Sequence, residues 1–261
     1  MTSKTAAKSS AFVRLPSTNA TRRLICLPFA GGGVAPFRQW ARAFPPDVEL
    51  LVAQLPAREG RLREQPFESI WDMADWLLPE VIEASDLPFA IFGHSMGALV
   101  AYELAVALER MNERTPSSAF FSARRPPDES ADEPPIADIP DNNEFLDALQ
   151  HRYNAVPEAV RNEPELLELL LPALRADLRA IERYSPRITH QLRCPVHVYG
   201  GLEDKRPTPS ELAGWQRFSQ QRIRVRLFPG DHFFITSQRD AVVSDLMTNW
   251  TLELEREGSR A

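Results

Sequence analysis

Apolar residues fall along this chain in two kinds of run. Apolar-rich runs of strand length occupy 24–29, 48–55, 89–92, 117–123, 195–199 and 223–228. The run 89–92 lacks the polar alternation of a half-exposed strand, so it is expected to be buried. Between them lie spaced runs. In 69–84 the apolar positions are Ile70, Met73, Ala74, Leu77, Leu78 and Val81, the three-and-four spacing of an amphipathic helix. Segments 36–44, 96–111, 210–218 and 240–257 also read as helices. Strands alternating with helices predict an α/β fold, a mostly parallel central sheet flanked by helices.

The alternation lapses over 126–186. That stretch opens as an acidic, proline-rich loop and continues as two helical patterns, 143–153 and 165–184. In the second, leucines from Leu166 to Leu178 surround most of the helix, which calls for cover on more than one side. The organisation expected is therefore a core of residues 21–125 and 187–257, interrupted by a helical insertion at 126–186. Residues 1–20, small and polar, read as a disordered leader.

Composition narrows the class. With 43% apolar and 25% charged residues the chain is neither collagen-like nor wholly disordered. A net charge of −6 gives it no global attraction for nucleic acid or anionic lipid. Cys26 and Cys194 sit in apolar stretches and read as buried free thiols, which fits a reducing, cytoplasmic setting. The first residues carry lysines with no apolar stretch behind them, unlike a secretory signal. Segment 98–108 is too short to span a bilayer and is broken by Glu103, so no membrane role is expected. There is no metal-ligand spacing and no dinucleotide or phosphate-loop fingerprint, so no metal and no cofactor is expected.

The chemistry concentrates in Gly93-His94-Ser95-Met96-Gly97, between an apolar strand and a helix. A serine on so sharp a turn exposes its hydroxyl, and the flanking glycines avoid Cβ clashes. The Met96 N–H, at the helix start, then points where an oxyanion would form. A serine nucleophile needs a base. His232 follows the last predicted strand in Phe228-Pro229-Gly230-Asp231-His232, which sets it on a loop at the same sheet edge. His94 reads as packing, His197 as a satisfied core histidine, and His151 and His190 as surface residues. The orienting carboxylate is expected at Asp204, on the loop after the strand 195–199, with Glu203 as its rival; Asp231 lies too close in sequence to reach the His232 ring. Loop 28–33, ending in three glycines, is the candidate for a second oxyanion donor.

These segments together resemble a known family, the type II (editing) thioesterases of polyketide and nonribosomal peptide synthesis, within the α/β-hydrolases. The likeness is carried by LICLPFAGGG at 24–33, LVAQLPAREGRLREQPF at 51–67, FAIFGHSMGALVAYELA at 89–105, FFSARRPP at 120–127 and EFLDAL at 144–149. It continues through NEPELLELLLPALRADLRAIERY at 162–184, CPVHVYGGLED at 194–204 and FPGDHFFI at 228–235. The resemblance implies an α/β-hydrolase fold with the insertion as its lid, and a Ser95–Asp204–His232 triad. It places the oxyanion donors at Met96 and Ala30, with Phe29 as the alternative to Ala30. The implied substrates are acyl groups on the phosphopantetheine arm of an acyl or peptidyl carrier protein.

This sequence departs from the family pattern at Ala57, where a glycine is usual, at Lys205-Arg206-Pro207, at Asp231, and in 151–156, which lacks the usual lid glycines. Carrier proteins are typically acidic, so Arg58, Arg61, Arg63, Arg124 and Arg125 form a candidate basic collar at the active-site rim. Three other activities suit the same residues: a carboxylesterase or lipase, an acyltransferase, and a ligand-binding receptor that retains the scaffold.

Overall fold

The computed structural model describes residues 10–15, 17–129, 134–154, 161 and 163–259. Its centre is a seven-stranded sheet. The strands are β1 (Phe12–Leu15), β2 (Arg22–Leu27), β3 (Val48–Ala53), β4 (Phe89–His94), β5 (Ser118–Ser122), β6 (Val196–Gly201) and β7 (Arg224–Phe228). They lie in the order β1-β3-β2-β4-β5-β6-β7, and every pairing is parallel except β1 with β3.

Two cores, one on each face, explain the apolar runs of the inner strands, whereas the edge strand β7 is exposed over Arg224, Val225 and Arg226. In β2, Ile25 and Leu27 join one core while Leu24 and Cys26 join the other; in β4, Ile91 and Phe92 divide the same way. Successive side chains of a strand point to opposite faces, so a strand covered on both must be apolar throughout. The first core packs under α2 (Ile70–Ala84) and α3 (Met96–Arg110). The second packs under α1 (Ala35–Trp40) and the C-terminal helix Arg239–Gly258. Helix α2 starts at Ser69, whose side chain accepts from the Asp72 N–H. Cys26 and Cys194 are buried and free. No helix among the described residues is long and apolar enough to cross a membrane.

Four readings need correction. The polar leader expected over 1–20 is structured from Phe12, because Phe12 and Leu15 turn inward and the strand pairs with β3 in register Phe12–Ala53 to Leu15–Leu50; residues 1–9 lie outside the described residues. Segment 210–218 is not one helix but a five-residue helix, Pro209–Ala213, followed by a 3₁₀ turn, Gly214–Phe218. The leucine-rich helix is not covered all round: Leu171 and Leu178 are buried, but Leu166 and Leu169 are exposed.

His197 is buried but not satisfied. It stacks on Phe120 with ring centroids 4.7 Å apart, and neither ring nitrogen has a hydrogen-bond partner among the described residues. Burial, with a smaller contribution from Arg224, lowers its pKa from the ordinary 6.5 to about 4. The unfolded chain therefore binds a proton between those values that the folded chain refuses. This contribution is intact above pH 6.5 and is lost as the pH falls. From pH 7 to pH 5 the loss is about 2 kcal/mol. His197→Leu is expected to flatten that acid limb in urea unfolding; an unchanged pH slope would contradict the assignment.

Candidate active site

The parallel strands end at one edge, where the chemistry collects. Ser95 leaves β4 with φ 54° and ψ −114°, a conformation a non-glycine residue adopts only when its surroundings enforce it. Its N–H donates to the Ser122 carbonyl at 2.7 Å. The two glycines are sterically required. A Cβ on Gly93 would lie 2.1 Å from the Gly97 carbonyl oxygen, and one on Gly97 would lie 2.0 Å from that of Leu27. Close packing of α3 against β2 thus turns the serine outward, with Met96 as the first residue of the helix.

His232, on the loop after β7, reaches this turn. Its Nε2 lies 3.0 Å from Ser95 Oγ and its Nδ1 lies 2.8 Å from Asp204 Oδ2. A carboxylate only accepts, so Nδ1 carries the proton and Nε2 offers its lone pair to the serine hydroxyl. Asp204 is itself held, since its Oδ1 accepts from the Arg206 N–H at 3.1 Å. The Lys205-Arg206 departure leaves this contact intact, since any residue but proline at 206 would supply the same N–H. The rivals fall elsewhere. Asp231 Oδ1 accepts from the Phe233 N–H, and its Oδ2 accepts from Asn154, at the end of α4 (Asn142–Tyr153). Glu203 lines the outer recess with Lys205 and His151.

His94 does more than pack. A carbonyl only accepts, so His94 Nε2 donates to the His232 carbonyl at 2.9 Å, and Nδ1 accepts from Ser122 Oγ at 2.8 Å. Burial, then the His232 charge, holds its pKa well below the usual range, so it stays neutral. One side chain thereby ties β4, β5 and the His232 loop together. The signal in the sequence was a polar residue ending a solid apolar run, which had to find partners. His190 is half-buried at the surface, where its Nε2 bonds Glu109, a buried carboxylate of α3, at 2.8 Å.

Ala30 and Phe29 lie beside Ser95 in a small, mostly apolar pocket. Its far wall comes from the segment between β5 and β6, through Leu149 and Tyr153 of α4 and through Leu174, Leu178 and Ile181 of α5 (Pro164–Glu182). Loop 28–33 is fixed from outside. Gly31 N–H donates to Asp177 Oδ2 of α5 at 2.7 Å, and Gly32 N–H donates to the Phe29 carbonyl at 2.8 Å. Among the described residues no group of three or more His, Cys, Asp or Glu is placed to hold a metal ion.

The basic collar does not form as expected. Arg58 is 3% exposed and paired to Asp177; Arg61 is 8% exposed, paired to Glu64 and laid over the Trp76 ring. Arg125 is buried within 3.6 Å of Glu211. Arg124 lines a recess beside Ser95 and His232, its Nε buried without a partner, and only Arg63 is freely exposed. Arg58, Arg61 and Arg125 are chiefly structural, because their guanidinium groups reach carboxylates and rings of their own chain.

Ala57, where the family usually has glycine, adopts φ 63°. The left-handed turn is kept despite its cost to a residue with a Cβ. Ala57→Gly is expected to stabilise the fold by about 0.5–1 kcal/mol, the relieved strain exceeding the entropy a glycine loses on folding. A thermal midpoint about 2 °C higher in calorimetry would show it; a lower midpoint would contradict it.

The chain as a whole is similar to known proteins. The family described as Thioesterase domain matches residues 22–249. The gramicidin S biosynthesis protein GrsT of Aneurinibacillus migulanus is 34% identical over 83% of this chain and 84% of its own length. Thioesterase PikA5 of Streptomyces venezuelae is 34% identical over 88% and 82%. Among solved structures, the type II thioesterase BorB from the borrelidin biosynthetic cluster superposes with a TM-score of 0.81 at 30% identity, covering 94% of this chain and 98% of BorB.

Proposed function

Because this chain belongs to the thioesterase family, we propose that it hydrolyses acyl thioesters carried on the phosphopantetheine arm of a carrier protein, with Ser95 as nucleophile, His232 as base and Asp204 as the carboxylate that orients it. The observation that supports this most is the bonded chain from Ser95 Oγ through His232 to Asp204, with each proton position fixed by its neighbour. The names of the relatives support an editing role, clearing or releasing acyl units during polyketide or nonribosomal peptide synthesis.

The reaction runs in two halves. Ser95 Oγ attacks the thioester carbonyl as its proton passes to His232 Nε2, and Asp204 stabilises the imidazolium. The backbone N–H groups of Met96 and Ala30 hold the oxyanion, each worth about 3 kcal/mol. The C–S bond then breaks and the imidazolium returns its proton to the departing sulfur. A thiol ionises far more readily than an alcohol, so this departure is easier than that of an ester alkoxide. Water enters, loses a proton to His232, attacks the acyl-serine and releases the acid. The apolar pocket takes the acyl chain, and the inserted segment 126–186 serves as its lid.

The test compares an acyl-phosphopantetheinyl carrier protein with an oxygen ester of the same acyl group. The expected kcat/KM is at least about tenfold higher for the carrier thioester. Equal or faster turnover of the oxygen ester would favour a general carboxylesterase instead.

A further inference from the structure

The proposed oxyanion loop is held by a buried ion pair that spans two distant parts of the chain. Asp177 of α5 is 0% exposed and Arg58, on the loop after β3, is 3% exposed. They meet through two parallel bonds, Arg58 Nη1 to Asp177 Oδ2 at 2.8 Å and Nη2 to Oδ1 at 2.9 Å. Neither group spends itself wholly on the other. Asp177 Oδ2 also accepts from the Gly31 N–H, and Arg58 also donates to the carbonyls of Gly32 and Pro56. The neighbouring Glu59 accepts from the N–H groups of Val34 and Ala35. The loop is thus gripped at 31, 32, 34 and 35 by side chains that do not face the pocket's reacting atoms.

The grip bears on Ala30 by elementary geometry. The Ala30 N–H and the Phe29 carbonyl share one rigid trans peptide plane and point in opposite directions. The Gly32 N–H fixes that carbonyl, while Asp177 fixes the next peptide plane through the Gly31 N–H. Both planes that set the direction of the Ala30 N–H are therefore anchored, one of them by a residue of α5. That same helix lines the acyl pocket with Leu174, Leu178 and Ile181. A buried ion pair is seldom the most stable solution at a site, since well-packed apolar residues often do as well. Its bonds to loop backbone give it a different use.

We propose that Asp177 and Arg58 are positioning residues, which aim the Ala30 N–H at the oxyanion and make that aim depend on how α5 is seated over the pocket. This rests on the reading of Ser95 as nucleophile. A donor displaced by a fraction of an ångström loses most where charge develops and little where substrate merely binds. The effect should therefore appear in kcat and spare KM.

The decisive variant is the double replacement Arg58→Met with Asp177→Leu, which removes both charges and leaves none buried alone. It is expected to fold with a lowered thermal midpoint, since the Gly31 N–H and the Gly32 and Pro56 carbonyls lose these partners. Its kcat on an acyl carrier thioester should fall about 30-fold or more, with KM changed less than about threefold. An acyl trifluoromethyl ketone, which forms an oxyanion on Ser95, should lose affinity by the same factor as kcat/KM. Asp177→Glu keeps both charges, guards against loss of the fold, and should lose kcat about tenfold because its longer side chain displaces the Gly31 N–H. A folded variant of either kind with kcat and ketone affinity within about threefold of the unaltered protein overturns the proposal. The underlying reading fails on a different result, an unaltered protein that hydrolyses no thioester, and the positioning role falls with it.

Discussion

Replacing Ser95 by Ala is expected to lower kcat on an acyl carrier thioester by about 10⁴- to 10⁶-fold while leaving the thermal midpoint within about 2 °C. Among the described residues the hydroxyl's hydrogen-bond partner is His232 Nε2, and the fold around it rests on backbone contacts that alanine preserves. The positive φ of 54° is no harder for alanine than for serine. The variant therefore removes the attacking atom and little else. Steady-state hydrolysis with circular dichroism on the same sample checks both halves. A folded variant that retains more than about a hundredth of the turnover would mean that another group attacks, or that water does so directly.

The second large effect is expected at Asp204. Asp204→Asn should cost about 10³- to 10⁴-fold in kcat, although it changes one atom. The Asp204 carboxylate can only accept from His232 Nδ1, which leaves Nε2 as the lone-pair side facing Ser95. An amide can donate instead, turning the imidazole into the tautomer that cannot take the serine proton. Glu203→Gln is the control. Glu203 lines the outer recess, and its loss is expected to change kcat by less than about threefold. If the two variants exchanged these effects, Glu203 would be the orienting residue and the hydrogen-bond geometry at His232 would have to rearrange in solution.

The sequence disclosed the local parts of this site and not the long-range ones. The elbow was legible because strand, turn and helix are consecutive, and because Gly93 and Gly97 are demanded by backbone contacts within a few residues. Asp204 and His232 were legible from chain order, since loops after parallel strands must open at one edge. The Arg58–Asp177 pair was not. Its members lie 119 residues apart, and each stands among other charged residues from which the local sequence does not distinguish it. Nothing local separates Arg58 from Arg63, yet one is buried and the other exposed. That difference, set by tertiary packing, is why a collar of five arginines looked reasonable and did not form. The same holds for β1. Four residues with an outward Arg14 carry too little pattern to outweigh a polar neighbourhood, and only pairing with β3 makes them a strand.

The covalent intermediate is where the chemistry can be observed most directly. Mixed rapidly with an acyl carrier thioester and quenched in acid before turnover completes, the protein should gain the mass of the acyl group less one hydrogen. Proteolysis and mass spectrometry should place that mass on Ser95, with His232→Ala showing no such adduct over the same interval. Thioester turnover by the unaltered protein with no adduct at Ser95, or with the acyl group on a different residue, would contradict the mechanism at its centre.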